Sequence, residues 1–411
     1  MHYEMTNLTD DMPAILVPRP KTPRMTLAVA MRGGVSREAG AGTAKMASRL
    51  LEKGTERRSA EELARELDER AIDVRALVLA DSMVLAAAFI NRELDAALDL
   101  VEDMLFHSTF ADFGKEREKL TGEIQAALDH PGELAQDLLT RALFGDHPYG
   151  HSSTRVLEEI GELQQDRVRE WYYQGLSPDR MNLVLVGDFV PEDVMPKLSA
   201  AFANLAKREV DITPPPIAPV EGDRVVTRAR PNAQQAQVLR GWYAPPAGSD
   251  RQAGMTVMNT ILGGGGLSSR LFVELRDKQG LAYSVRSQYS TMRLTGQFAV
   301  AIGTSPENIA RARQGFADQI ARLQQEPITA DELEFARGRL AGTFVLGHET
   351  NGQYCLDMAI NHINGLPPDY SEQLMQRTQE VTIDNVQAAA QSVASPSVTA
   401  IVAREDALPT E

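Results

Sequence analysis

The sequence predicts an α+β protein with two similar domains, each an antiparallel sheet with helices packed on one side. Strand and helix patterns follow one another in the same order in both halves of the 411-residue chain. Consecutive strand patterns at 72–90 and again at 281–302 indicate hairpins, which are typical of antiparallel pairing. A proline-rich stretch with charged flanks, residues 207–224, lies between the halves and is the best linker candidate.

Composition is that of an ordinary globular protein, with 43% hydrophobic and 24% charged residues. The formal net charge of −15 argues against a nucleic acid or an anionic membrane as partner. The single cysteine, Cys355, excludes an intrachain disulfide and a cysteine-based metal site. No apolar run reaches the roughly 18 residues that a membrane span needs, and the N-terminus lacks a signal-peptide pattern. We expect a cytoplasmic location, or a periplasmic one if a leader has been removed.

The elements of the first half follow from apolar periodicity and from helix start signals. Strand patterns cover 25–31, 72–80, 82–90 and 181–187. Helix patterns cover 42–53, 59–70, 93–106, 114–128, 133–144, 156–173 and 191–205. The helix at 59–70 opens with Ser59-Ala60-Glu61-Glu62, which is a capping box. We predict that these elements form a first domain, residues 1–206.

The second half repeats this order after the linker. Strand patterns cover 237–243, 281–289, 296–302 and 398–403. Helix patterns cover 250–262, 269–278, 306–325 and 330–346. In each half about 160 residues separate the first strand from the closing strand, which favours a duplicated domain over a solenoid. The second domain is therefore predicted at 225–411.

The most distinctive stretch reads GGGGLSSRLFVELRDKQGLAYSV and runs from Gly263 to Val285. Ser268 is predicted to cap a short amphipathic helix, and Gly280 is predicted to end it. Glycines can take positive φ and let another chain approach the backbone closely. The run that opens the stretch comprises Gly263, Gly264, Gly265 and Gly266.

Two polar residues of this stretch are placed to meet in one cleft. Arg276 lies in the last turn of the predicted helix, and Tyr283 lies in the strand that follows. From spacing alone, an arginine near a helix C-terminus is also explained by solvation or by compensation of the helix dipole. A strand tyrosine is equally explained by half-buried packing. Both interpretations stay open on the residues alone.

The whole stretch resembles the C-terminal-half signature of the insulinase-type, or pitrilysin-like, zinc metallopeptidases. In that family an arginine and a tyrosine seven positions apart bind substrate at a zinc site held by the other half of the enzyme. Arg276 and Tyr283 match this pair residue for residue. The resemblance covers essentially the whole chain, and it implies two similar domains folded toward each other like a clam shell.

The resemblance also implies where the zinc motif His-x-x-Glu-His would lie. Its histidine positions hold Lys45 and Arg49, its general-base position holds Ser48, and the third-ligand position holds Glu123. Lysine and arginine offer no lone pair and would repel a divalent ion, so we expect no metal cofactor in this chain. If the helices pack as in the relatives, Glu123 should pair with Lys45 or Arg49. A solvated helix face is the alternative.

Together these observations predict the non-zinc-binding subunit of a heteromeric zinc metallopeptidase. A homologous partner subunit would hold the zinc, and this chain would supply Arg276 and Tyr283 to bind an extended peptide and stabilise the oxyanion. The residues Gly263–Gly266 would sit beside that peptide, and the chain alone would be inactive. The alternative is a catalytically inactive structural or assembly protein of the same fold. A self-sufficient peptide-binding module or homodimer is a third possibility.

Overall fold

The computed structural model describes residues 2–393 and 396–409. Strands are formed by β1 (Glu4–Thr9), β2 (Met12–Pro18), β3 (Arg24–Arg32), β4 (Asp73–Val78), β5 (Ser82–Ile90), β6 (Met181–Gly187), β7 (Arg224–Ala229), β8 (Ala236–Ala244), β9 (Ala282–Thr291), β10 (Gly296–Thr304) and β11 (Val398–Ala403). Helices are formed by α1 (Thr43–Leu50), α2 (Ala60–Glu69), α3 (Leu94–His107), α4 (Phe113–Leu128), α5 (Pro131–Phe144), α6 (Ser153–Glu159), α7 (Gln165–Gly175), α8 (Pro191–Ala201), α9 (Gln252–Asn259), α10 (Ile309–Gln325), α11 (Ala330–Gly347), α12 (Asn351–Ile363), α13 (Tyr370–Glu380) and α14 (Ile383–Ser392). Segments of π-helix lie at Thr260–Gly264 and Phe272–Lys278. In the part of the chain that is described, no helix is long and apolar enough to cross a bilayer.

The two sheets share one strand order. The first sheet runs β1-β2-β6-β3-β5-β4, and the second runs β7-β11-β8-β10-β9. If β2 is matched with β7, the two orders coincide strand for strand, and only β1 is additional. Neighbouring strands are antiparallel except for β2 with β6 and β7 with β11, which are parallel. An antiparallel sheet was predicted in each domain, but one pair of strands in each sheet is parallel. In these pairs the closing strand, β6 or β11, lies beside an opening strand, β2 or β7, that was not predicted, and a long connection joins the two.

The chain folds as two compact units, each built on one sheet. Unit 1 combines the residues up to Gly122 with Val156–Pro214 and Gly347–Ser371. Unit 2 combines Glu123–Arg155, Pro215–Leu346 and the residues from Glu372 onward. These units differ from the predicted domains, 1–206 and 225–411, in two segments. Glu123–Arg155 belongs to unit 2, and Gly347–Ser371 belongs to unit 1. Each half of the sequence contributes α5 or α12 to the sheet of the other half, which no local pattern indicates.

The central strands of the sheet of unit 1, β3, β5 and β6, are buried on both faces. On one face, Ala28, Val84 and Val184 pack against Cys355 and Met358 of α12. The residues that alternate with them along β3, β5 and β6 point to the opposite face and are buried as well. Helices of the N-terminal half therefore cover one side, as predicted, and α12 covers the other.

Unit 2 is built in the same way. Its main core gathers Trp242 and Phe298 from the sheet with Met255 of α9 and Phe316 of α10. The other face of the sheet is covered by α5, which packs on β8 and β11. A Cβ added at Gly241 would lie 3.0 Å from Leu139 of α5, so this helix lies directly on the strand.

Most predicted elements are present, but one predicted helix is divided, and several strands and helices were not predicted. The helix predicted at 156–173 is divided by a short turn around Gly161 into α6 and α7. The strands β1, β2 and β7 and the helices α12, α13 and α14 were not predicted. Side chains of β1 and β7 are largely exposed, so these two strands carry no apolar alternation. Residues 207–223 of the predicted linker form neither helix nor strand, and its last residue, Arg224, is the first residue of β7.

Candidate functional site

The glycine run is used for internal packing. Of the four glycines, only Gly266 has a left-handed φ, +77°. A Cβ at Gly263 would lie 2.3 Å from the backbone nitrogen of Ser287 in β9. A Cβ at Gly265 would lie 2.5 Å from the carbonyl oxygen of Thr260. Gly263 and Gly265 therefore allow other segments of the same chain, at Ser287 and Thr260, to pack closely against the glycine backbone.

The helix that carries Arg276 begins one residue later than predicted. Ser268 lies in a short 3₁₀ turn, and Ser269 has the extended backbone of a residue that precedes a helix. The Ser269 hydroxyl donates to the carbonyl of Gly266 at 2.7 Å. Leu271 and Leu275 of this helix are fully buried in the core of unit 2, which fixes the orientation of its exposed face.

The helix ends at Gly280 as predicted. Gly280 has φ +61°, and its amide donates to the carbonyl of Arg276 at 2.9 Å. The amide of Leu281 donates to Leu275 at 2.8 Å, which completes a left-handed helix C-cap. This tight cap turns the chain directly into β9 and brings Tyr283 back beside Arg276.

Arg276 and Tyr283 are close together. The guanidinium carbon of Arg276 lies 4.5 Å from the ring centroid of Phe272 and 6.0 Å from that of Tyr283. These distances are in the range of cation–π contacts, so the guanidinium lies near both rings. The Tyr283 side chain is 78% exposed. The predicted meeting of the two side chains is thus present, and the catalytic role assigned to them stays a prediction.

Tyr283 lies in an irregularity of the β9–β10 ladder that sequence reasoning missed. Gly303 pairs with Ser284 and Thr304 pairs with Ala282, so Tyr283 has no partner in the register. A bulge of this kind redirects a side chain and is common beside active sites. β9 is also the last strand of its sheet, and its outer edge has no strand partner among the described residues.

The pair opens onto a cavity of about 430 Å³ that lies entirely in unit 2. Gly263, Gly264 and Gly266 line it, and Phe272 supplies an apolar wall. The substrate-binding role predicted for the glycine run stays a prediction. Two further arginines, Arg286 and Arg339, also line it and were not predicted as site residues. Arg286 belongs to β9, three positions after Tyr283, so its place in the same predicted strand as Tyr283 could have indicated it as a site residue. Arg339 comes from α11, and no local pattern connects it to the cavity.

The positions that correspond to a zinc motif lie on α1 of unit 1. Lys45, Ser48 and Arg49 are all partly buried on this helix. The Ser48 hydroxyl donates to the carbonyl of Lys45 at 2.8 Å, so it is held by its own helix. None of these side chains fits a zinc ligand, because two are cations and the third is a neutral hydroxyl. Within residues 2–393 and 396–409, no group of three or more His, Cys, Asp or Glu side chains is arranged to hold a metal ion.

Arg49 forms a buried ion pair that was not predicted. Its Nε lies 2.9 Å from Oε2 of Glu116 on α4, and Nζ of Lys53 lies 3.3 Å from Oε1 of the same carboxylate. The Glu116 side chain is only 6% exposed. Glu123 follows two turns later on the same face of α4, and this seven-residue spacing could have indicated Glu116. The predicted pairing of Glu123 with Lys45 or Arg49 stays a prediction.

The charges around Glu116 make unit 1 sensitive to acid. Burial raises the pKa of Glu116, but the charge of Lys53 and the hydrogen bond from Arg49 outweigh it and hold the pKa below its ordinary value of 4.5. A carboxylate with a depressed pKa in the folded state stabilises the protein above its unfolded pKa, and this stability is lost as the pH falls through the folded pKa. We expect Glu116→Gln to lower the free energy of unfolding at neutral pH and to flatten its fall on acidification. Urea titrations from about pH 7 to about pH 3 measure both effects.

Glu118→Gln is the matched control, because Glu118 lies on the same helix with its side chain exposed. This variant should keep the wild-type dependence on pH. Equal pH dependence in wild type and Glu116→Gln would contradict the assignment of acid sensitivity to the Glu116 ion pair.

Two family models match the chain. Residues 14–155 match the model described as insulinase (peptidase family M16), and residues 162–340 match the model described as peptidase M16 inactive domain. The first match contains α1 and its zinc-motif positions, and the second contains Arg276, Tyr283 and most of the cavity.

Similar proteins agree with these matches. The chain is 31% identical over 357 residues to an uncharacterized zinc protease from Streptomyces coelicolor, covering 84% of this chain and 76% of that one. It is 28% identical over 301 residues to another from Bacillus subtilis, covering 72% of each. The fold resembles a peptidase M16 inactive domain from Pseudomonas fluorescens, with a TM-score of 0.89 and 21% identity over 98% of both chains. It also resembles a protease from Helicobacter pylori, with a TM-score of 0.90 and 19% identity over 98% of this chain and 99% of that one. The chain therefore belongs to the insulinase family of peptidases, peptidase family M16.

Proposed function

We propose that this chain is the non-zinc-binding subunit of a heteromeric zinc metallopeptidase. A homologous partner subunit carries the zinc, and this chain contributes Arg276 and Tyr283 to substrate binding. One contrast carries the proposal. The arginine and tyrosine are assembled beside a cavity at an unpaired strand edge, whereas the zinc-motif positions of α1 hold Lys45, Ser48 and Arg49.

The edge of β9 is the part of the chain that suits an extended peptide. An added strand would satisfy the outward amides and carbonyls of β9, and backbone hydrogen bonds of this kind are independent of peptide sequence. Tyr283, near the start of β9, is held out of the ladder by the bulge. The substrate carbonyl next to the scissile bond would then lie within reach of both the phenol and the guanidinium.

The two side chains suit the stabilisation of negative charge. The phenol hydroxyl and the guanidinium are both hydrogen-bond donors, and the guanidinium keeps its positive charge at any physiological pH. Stacking against Phe272 and Tyr283 limits the motion of Arg276, so its donors are oriented before substrate arrives. Donors fixed in advance toward a developing oxyanion are among the largest contributions to catalysis of acyl transfer. The activation of water belongs to the partner's zinc site.

A catalytically inactive structural or assembly protein is the second candidate. The description of the second family model as an inactive domain favours it, together with the loss of the zinc motif. In that case the cavity and the edge of β9 would be inherited features without a peptide ligand.

A mixing experiment separates the two candidates. This chain is purified together with an M16 homologue from the same genome that has an intact His-x-x-Glu-His motif, and cleavage of a quenched peptide is followed. We expect each protein alone to be inactive or nearly so, and the mixture to be active. If mixing does not raise the activity of the homologue, the heteromeric proposal is refuted and the structural role is favoured.

Metal analysis of the isolated chain tests the other half of the proposal. Because Lys45 and Arg49 repel a dication and Ser48 is a poor ligand, we expect no bound zinc after dialysis against a zinc-containing buffer. The zinc-bearing homologue, treated in parallel, should retain one equivalent. Stoichiometric zinc in this chain, measured by elemental mass spectrometry, would contradict the assignment of these positions.

A further inference from the structure

The charged residues that line the cavity of unit 2 are all arginines. Arg276, Arg286 and Arg339 border it, and no aspartate or glutamate is among the described residues that line it. This composition is unexpected in a chain with 57 acidic and 42 basic residues. The cavity is therefore a local concentration of positive charge on a protein of net charge −15.

These three guanidinium groups have no carboxylate partner. Within the described residues, none of Arg276, Arg286 and Arg339 forms an ion pair, and Arg276 makes cation–π contacts with Phe272 and Tyr283. Arg270, at the start of the same helix as Arg276, provides the contrast. Its Nε and Nη2 bind both carboxylate oxygens of Glu332, at 2.6 Å and 2.9 Å. Arg270, which does not line the cavity, is thus paired with a carboxylate, whereas the three arginines that line it have no carboxylate partner among the described residues.

Their placement matches an extended peptide that lies along β9. Arg286 follows Tyr283 by three positions, which corresponds to about 10 Å along a strand. Arg286 pairs with Ala301 in the ladder and alternates with the buried Val285, so its side chain lies on the face opposite the main core. Nη2 of Arg339 lies 3.5 Å from the position of a Cβ on Gly266, at the glycine wall of the cavity. A peptide bound at Tyr283 would therefore carry neighbouring side chains past two further cations.

We infer that this cavity binds a carboxylate of the peptide, so that the preferred substrates are peptides that present a carboxylate group to it. This inference rests on the peptide-binding role proposed above and adds a substrate class to it. The carboxylate belongs either to an aspartate or glutamate side chain or to the C-terminus of the peptide. Bidentate contact with a guanidinium suits both sources equally, because the group recognised is the same.

Binding to the isolated chain tests the inference without a zinc-bearing partner. Isothermal titration calorimetry is performed with three unlabelled, otherwise identical peptides. One contains asparagine and a C-terminal amide, the second contains aspartate and the amide, and the third contains asparagine and a free C-terminal carboxylate. We expect at least one carboxylate peptide to bind about tenfold more tightly than the neutral peptide at low salt, with the advantage reduced at high salt. The peptide that gains affinity identifies the source of the carboxylate.

The variant Arg286→Gln/Arg339→Gln should abolish the advantage of the carboxylate peptides and leave the neutral peptide unaffected. Both side chains are exposed and make no ion pair in the described structure, so the fold should be retained, which circular dichroism checks. The control is Arg228→Gln/Arg311→Gln, which removes the same charge from exposed positions of unit 2 outside the cavity and should keep the advantage.

Equal affinity for all three peptides, an advantage that persists without Arg286 and Arg339, or no measurable binding would each overturn the inference. Selective binding of a carboxylate peptide with no cleavage after mixing would keep this inference and refute the heteromeric peptidase.

Discussion

Tyr283→Phe is expected to lower kcat of the mixed heteromer by about a hundredfold to a thousandfold, the usual effect of removing one donor from an oxyanion site. The substitution removes only the hydroxyl, because phenylalanine keeps the ring that lies 6.0 Å from the Arg276 guanidinium carbon. The side chain is 78% exposed, so the fold should not be affected. KM should change less than kcat, because the hydroxyl acts most strongly on the charge that develops after the substrate has bound. Steady-state kinetics of the mixture with a quenched peptide measure both constants.

Tyr289→Phe is the matched control on the same strand. Its hydroxyl donates to the carbonyl of Pro245 at 2.6 Å, so its loss removes an internal hydrogen bond outside the cavity. This variant should lose about 1 kcal/mol of stability and keep its activity in the mixture. If Tyr283→Phe retains wild-type kcat, the phenol has no role in stabilising the oxyanion, even if the heteromer is active.

Gly263→Ala is expected to reduce the free energy of unfolding by about 3 kcal/mol, at the upper end of the usual cost of overpacking. The added methyl would lie 2.3 Å from the Ser287 backbone nitrogen and 2.8 Å from the Ser287 hydroxyl oxygen. A backbone atom within a sheet cannot move away at low cost. That hydroxyl donates to the side-chain oxygen of Asn259 at 2.8 Å, and this bond would be broken as the segments separate. Denaturant titration measures the loss, and hydrogen exchange of the β9 amides should show that it begins at this contact.

Gly338→Ala makes the same substitution in α11, where a Cβ would meet no atom within 4 Å. It should stabilise the protein by about 0.5–1 kcal/mol, because alanine is the better helix former. Equal effects of the two substitutions would show that the contact between Gly263 and β9 is not tightly packed in solution. Peptide cleavage by a Gly263→Ala mixture should also fall, since β9 positions Tyr283 and Arg286.

Local signals in the sequence predicted much of the fold. The strands β6 and β11 have the predicted bounds, Met181–Gly187 and Val398–Ala403, because continuous apolar runs of that length bounded by turns are buried strands. The capping box at Ser59 is present with both of its hydrogen bonds. The Arg276–Tyr283 meeting was also predictable, since a helix end, one left-handed glycine and a strand start lie within eight residues of each other.

The tertiary structure decided what depends on contacts between distant residues. The assignment of α5 and α12 to the sheet of the other half could not be predicted, because both sheets present a second apolar face and either helix is amphipathic enough to cover one. The same is true of Arg339, whose neighbours in the cavity lie far along the chain. The bulge at Tyr283 depends on the pairing register of β9 with β10. The sequence by itself therefore determined most of the elements and the Arg–Tyr pair, because hydrogen bonding and apolar periodicity act over a few residues. Which charges surround that pair is a property of packing, because it is set by side chains from distant parts of the sequence that meet only after unit 2 has folded.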